Sequence, residues 1–141
     1  MRMMMNLDNF FNTLPEENEN PKKTISDLMD SPFIWVGTFE KLITNYLSFS
    51  VDLINFFKSA IPDLDEEQLK ESGKELVCNK AYNYLDKLDL EDETHLESLR
   101  IRSSEKLIKT LKFVLYYFES IEEFEKCVKL KKILDYTEQN M

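Results

Sequence analysis

His95, Cys78 and Cys127 are the residues best suited to act as base, nucleophile or soft metal ligand. They are widely separated and follow no paired spacing. A structural zinc site needs about four Cys or His ligands, so these three residues cannot supply one. Asp63, Asp65 and Glu67 alternate as the first ligands of a calcium loop do. Gln68, however, stands where that loop requires glycine, and Lys74 stands where it requires a bidentate glutamate. Glu67/Glu71 and Glu71/Glu75 pair carboxylates at i,i+4, but a dinuclear bundle site also wants Glu-x-x-His on inward faces, and the chain has no such motif. The 2 glycines, Gly37 and Gly73, are isolated and make no phosphate loop. The expectation is therefore a protein that is not an enzyme, with no catalytic residue, metal or cofactor. His95 reads as an ordinary residue of an acidic helix start, and the cysteines read as small core residues.

What remains is surface. Lys and Arg total 18 and Asp and Glu total 27, a formal charge of -9. That field repels phosphate backbones and anionic lipid, so direct nucleic-acid or membrane binding is not expected. Most of the charge falls between Asp63 and Glu97. Its candidate acidic face is Asp63, Asp65, Glu66, Glu67, Glu71, Asp89, Glu91, Asp92 and Glu93. One reading of that face is an inhibitor that mimics nucleic-acid phosphates in the basic channel of a nuclease, polymerase or defence complex. Interleaved Lys70, Lys74, Lys80 and Lys87 weigh against it. Two unpaired cysteines, no basic-then-apolar leader and no apolar run of ~20 residues point to a cytoplasmic protein.

The positioning elements are helices. No segment alternates with period two, and Gly (2) and Pro (4) are too few for a turn-rich β architecture. Ser31-Pro32 is a helix start. From Pro32 or Thr38 to Ala60, the residues Phe39, Leu42, Ile43, Tyr46, Leu53, Ile54 and Phe57 form a helical stripe, with Gly37 a potential break. Phe49, Val51 and Phe56 lie off that stripe, so this helix is expected at the centre of the fold. Pro62 ends it. Asp65 with Gln68 caps a second helix carrying Leu69, Gly73, Leu76, Val77, Ala81, Tyr84, Leu85 and Leu88. A third is expected from Thr94 to Phe118, and a fourth, capped by Ser120 with Glu123, from Ile121 to Glu138. The fold class is all-α, a bundle of about four main helices over residues 25–141. Residues 1–24 read as a flexible N-terminal tail, in which Leu7, Phe10, Phe11 and Leu14 cluster ahead of Pro15.

The run Phe124-Glu125, Cys127-Val128 and Leu130-Lys131-Lys132-Ile133 resembles the UVR motif, the helical hairpin of UvrB/UvrC-type excision-repair proteins. Val128 stands for the second alanine of the pattern, and Lys131 for its arginine. If Ser104–Phe118 is the first arm, the likeness covers about residues 104–138 and implies a hairpin used for protein–protein contact. Lysine makes up most of the cationic residues, the coding bias of an AT-rich genome such as a phage or a low-GC bacterium, which carries no mechanism. Together these features favour an adaptor or regulator that binds another protein, a nucleic-acid-processing enzyme among the candidates. Its expected contact residues are Phe10, Phe11, Tyr116, Tyr117, Lys126, Lys129 and Lys132. Surplus apolar surface also leaves self-association and a structural subunit of a larger assembly open.

Overall fold

A computed structural model describes residues 30–141, in which five helices pack together and no strand occurs. They are α1 (Pro32–Ala60), α2 (Glu66–Leu85), α3 (Glu93–Arg102), α4 (Glu105–Ser120) and α5 (Phe124–Gln139).

The Ser31 hydroxyl accepts from the Ile34 N–H at 3.3 Å, and Pro32 opens α1 where its missing N–H costs nothing. The helix then runs unbroken through Gly37. A Cβ there would lie 2.6 Å from the Arg102 guanidinium carbon, so the glycine leaves room for that side chain to lie over α1. Arg102 Nε donates to the Phe33 carbonyl at 3.0 Å, and its guanidinium covers the Phe33 ring at 3.8 Å. Asp65 caps α2 by accepting from the Gln68 N–H, and Glu66 and Glu67 follow in the first turn, where the helix dipole favours anions. The short Ile61–Asp65 connection folds α2 back along α1, and Glu66 bridges Lys58 and Lys70 across the join.

The helix expected from Thr94 to Phe118 is two. Asp92 caps α3 by accepting from the Thr94 and His95 N–H groups, and Ser104 caps α4 by accepting from Leu107 N–H at 3.1 Å. Ser103 and Ser104 are both extended, and the Ser103 hydroxyl donates back to the Leu99 carbonyl. Two adjacent serines thus satisfy orphan groups on both sides of the break.

The expected capping box at Ser120 and Glu123 is instead the end of α4. Glu123 N–H reaches the Phe118 carbonyl and Glu122 N–H the Glu119 carbonyl, the paired bonds of a Schellman motif. Glu122 holds the left-handed position at φ 59°, where an L side chain is disfavoured. α5 therefore starts at Phe124, three residues later than its pattern predicts, with no side-chain cap. Glu122→Gly is expected to raise stability by about 0.5–1 kcal/mol, measured as an increased urea midpoint at unchanged slope.

The core is built from Phe39 and Ile43 of α1, Ala81 and Leu85 of α2, Leu99 of α3, Leu107, Leu111 and Phe118 of α4, and Leu130 and Ile133 of α5. The buried hydroxyls of Thr110 and Thr137 donate to carbonyls of their own helices. α1 is not central along its whole length, contrary to what its apolar content predicts. At 29 residues it is about 44 Å long, whereas α3 and α4 are about 15 and 24 Å. Its second half therefore runs on past the bundle, accompanied by α2.

Candidate functional site

Trp35, Phe39, Leu42, Tyr46, Phe49, Leu53, Phe56 and Ala60 follow one another along α1 in alternating steps of four and three. That is the 3.5-residue repeat of a helix seam that packs against other helices. In the first half the seam is covered. Trp35 and Phe39 are buried and Leu42 and Tyr46 half-buried, with the Tyr46 ring 6.1 Å from Phe113 of α4. Past Tyr46 the cover ends. Phe49 is 57 % exposed, Leu53 55 % and Phe56 66 %. Phe49 and Phe56, which lie off the stripe counted from Phe39, belong to this seam. The alternating spacing counted from Trp35 is the signal that identifies them.

Beside the exposed half lies a groove of about 380 Å³ between α1 and α2. Tyr46, Phe49, Leu53 and Phe57 wall it on one side, and Leu69 and Gly73 line the other. The Tyr46 hydroxyl donates to the Lys70 carbonyl at 3.5 Å, and its ring lies 3.4 Å from where a Cβ on Gly73 would sit. Burial raises the Tyr46 pKa, and no ionic side chain lines the groove. Such a lining is suited to contact with apolar groups.

The contact residues read from the sequence are distributed otherwise. Phe10 and Phe11 lie outside the described residues. Tyr116 is 77 % exposed, but Tyr117, expected beside it on the surface, is 7 % exposed and packs edge-on against Phe118. Adjacent helical residues point about 100° apart, so the two cannot form one patch. Lys126 and Lys129 also face inward. Lys126 donates to Asn79 Oδ1 at 3.3 Å and lies over the Tyr82 and Phe118 rings. Lys129 donates to the Asp86 and Leu88 carbonyls at 2.9 and 2.7 Å. Only Lys132 of the three is exposed.

The acidic residues do not make one face. Asp63, Asp65, Glu66, Glu67 and Glu71 sit at the start of α2, and Asp89, Glu91, Asp92 and Glu93 beyond its end, about 30 Å away along the helix. Asp65 and Asp92 are helix caps, and Asp89 accepts from the Glu91 N–H. Glu66 is lowered in pKa by its hydrogen bonds to Lys58 and Lys70, and Glu71 lies 4.0 Å from Lys74. Asp63, Glu67, Glu91 and Glu93 are exposed.

His95 Nδ1 accepts from the Asp89 N–H at 2.8 Å, which places the proton of the neutral ring on Nε2. Its ring meets Trp35 edge-on at 5.5 Å, so it ties the α2–α3 loop to α1. Cys78 is buried, and burial pushes its thiol up to about 12; Cys127 is half-buried and raised by the same cause. Neither is poised as a thiolate nucleophile. Among the described residues no three His, Cys, Asp or Glu side chains converge as a metal site, and no helix is long and apolar enough to cross a membrane. Comparison with family models, curated proteins and solved structures gives no match.

The buried thiol has a consequence for stability. Burial, followed by Asp86, also pushes the Tyr82 hydroxyl up to about 12. Both groups are neutral in the folded chain at pH values where the unfolded chain ionises them. The stability they carry is intact below about pH 9 and is lost as pH rises toward 12. Each group contributes at most about 1.4 kcal/mol per pH unit, so stability is expected to fall above about pH 9 and more steeply above about pH 10, where the unfolded tyrosine also ionises. Cys78→Ala should flatten the onset of that fall, seen in urea titrations between pH 8 and 11.

Proposed function

We propose that this chain is a non-enzymatic helical module that binds another protein through the uncovered half of α1. One observation carries the reading: the 3.5-residue seam continues for two turns beyond the helices that cover it, exposing Phe49, Leu53 and Phe56 together. Exposed apolar side chains scattered over a surface need no explanation, but these are consecutive rungs of one packing stripe and border an apolar groove. The α4–α5 hairpin, with its likeness to the UVR motif, adds a lesser surface through Tyr116, Val128 and Lys132. The phosphate-mimic reading draws little support from carboxylates that cap helices or pair with lysines at separate ends of α2.

The test is capture of a partner from native lysate after nuclease treatment, with the full chain and its Leu53→Asp variant. Apolar docking keeps the partner at high salt and loses it at least tenfold in the variant. Helical circular dichroism and the melting temperature stay near wild type, because Leu53 is already exposed. Capture that ignores Leu53→Asp and weakens with salt would overturn the reading in favour of the acidic residues.

A further inference from the structure

We infer that the α1–α2 groove takes the segment Leu7–Leu14 of the same chain, so that an outside partner must displace it. The inference rests on the groove being the docking surface. Leu7, Phe10, Phe11 and Leu14 stand at i, i+3, i+4 and i+7, the anchor spacing of a helix laid into an apolar groove. Asp8, Asn9, Asn12 and Thr13 fall between them, so on a helix the side opposite the anchors would be polar, and Pro15 closes the pattern. Asp8 is the one charged residue between Met3 and Leu14, which suits a groove whose only polar lining is Asn45, Ser50 and the Tyr46 hydroxyl. The seam alternates in steps of four and three, the repeat that accepts a helix in preference to an extended strand.

Reach agrees. The described chain begins at Asp30, and Phe49, near the middle of the groove, lies about 28 Å along the helix from it. Residues 15–29 separate Leu14 from Asp30. Stretched out they span at most about 50–55 Å, long enough for Leu7–Leu14 to reach the groove. Because the segment belongs to the same chain, its docking is intramolecular and does not depend on protein concentration. A second copy has no such advantage. It would bring together two chains of net charge -9 and set Asp52, which flanks Phe49 and Phe56 on α1, near its own equivalent.

The experiment places a benzoylphenylalanine photo-cross-linker at position 10 of the full chain, at low micromolar concentration, and maps the products by mass spectrometry. The expected product has the mass of one chain, joins position 10 to residues 42–57 or 69–77, and falls at least fivefold with Leu53→Asp. Phe49→Asp, at a second exposed position, should give the same fall and guards against misfolding of one variant. A cross-link joining two chains, or none in the groove, overturns the inference. Its failure is separable from that of the docking function. If the intrachain product is missing while Leu53→Asp still loses the partner, the groove binds a partner and the tail is not its occupant.

Discussion

Phe118→Ala is expected to lower the stability of the fold by about 3–5 kcal/mol, more than any surface substitution should cost. Phe118 is fully buried, and three different contacts meet on its ring. Tyr82 of α2 packs edge-on at 5.6 Å, Tyr117 does so at 5.1 Å, and the Lys126 ammonium of α5 lies 4.8 Å from the ring centre. Truncation leaves a cavity where three helices meet and removes the aromatic face that holds a half-buried cation. The Phe118 carbonyl still accepts from Glu123 N–H, so the turn into α5 is preserved and the loss is one of packing. For a chain of this size the melting temperature should fall by about 10–20 °C. Phe56→Ala, the same deletion at an exposed position, should cost less than about 0.5 kcal/mol. A loss below about 1.5 kcal/mol for Phe118→Ala would mean that the site collapses around the missing ring.

The contrast between these phenylalanines shows what the sequence reveals and what it hides. Helices are legible because caps and periodicity are local. Ser31-Pro32, Asp65 with Gln68, and the Ile61-Pro62 stop act where the pattern places them. The split between α3 and α4 is less legible, because Leu99 and Leu107 keep helical phase across it and only the Ser103-Ser104 pair marks the break. The left-handed turn at Glu122 leaves no mark, since glycine, its usual signal, is absent.

Burial is harder still, because it depends on the lengths of other helices. Phe39 and Leu53 occupy the same phase of one repeat on α1, yet the first is buried and the second exposed. The difference is that the cover supplied by α3 and α4 reaches Tyr46, where Phe113 meets it, and stops there. The same dependence explains why Lys126 and Lys129 read as contact residues in the sequence. A lysine on a helix of mixed character reads as solvated, and nothing local shows that carbonyls at the end of α2 wait opposite Lys129.

Lys129→Glu tests that last point and is expected to cost about 2–3 kcal/mol. The native ammonium bonds two backbone carbonyls just past the end of α2 and lies 3.8 Å from the Asp86 carboxylate. Bonds to a charged donor are worth about 1.5–3 kcal/mol, the upper end being reached where the acceptors lose all access to water. Water can reach the exposed Asp86 carbonyl, which moderates the loss, but a carboxylate placed beside those oxygens and Asp86 adds repulsion. Lys132→Glu, three residues on and exposed, should stay within about 0.5 kcal/mol. Urea midpoints of the two variants compare them directly. The order matters for function, because reversing both lysines at once would mix lost folding with lost binding. If Lys129→Glu proves as neutral as Lys132→Glu, its ammonium is not what holds the end of α2 to α5. Lys129 would then be free to serve, with Lys132, as a basic surface for an acidic partner.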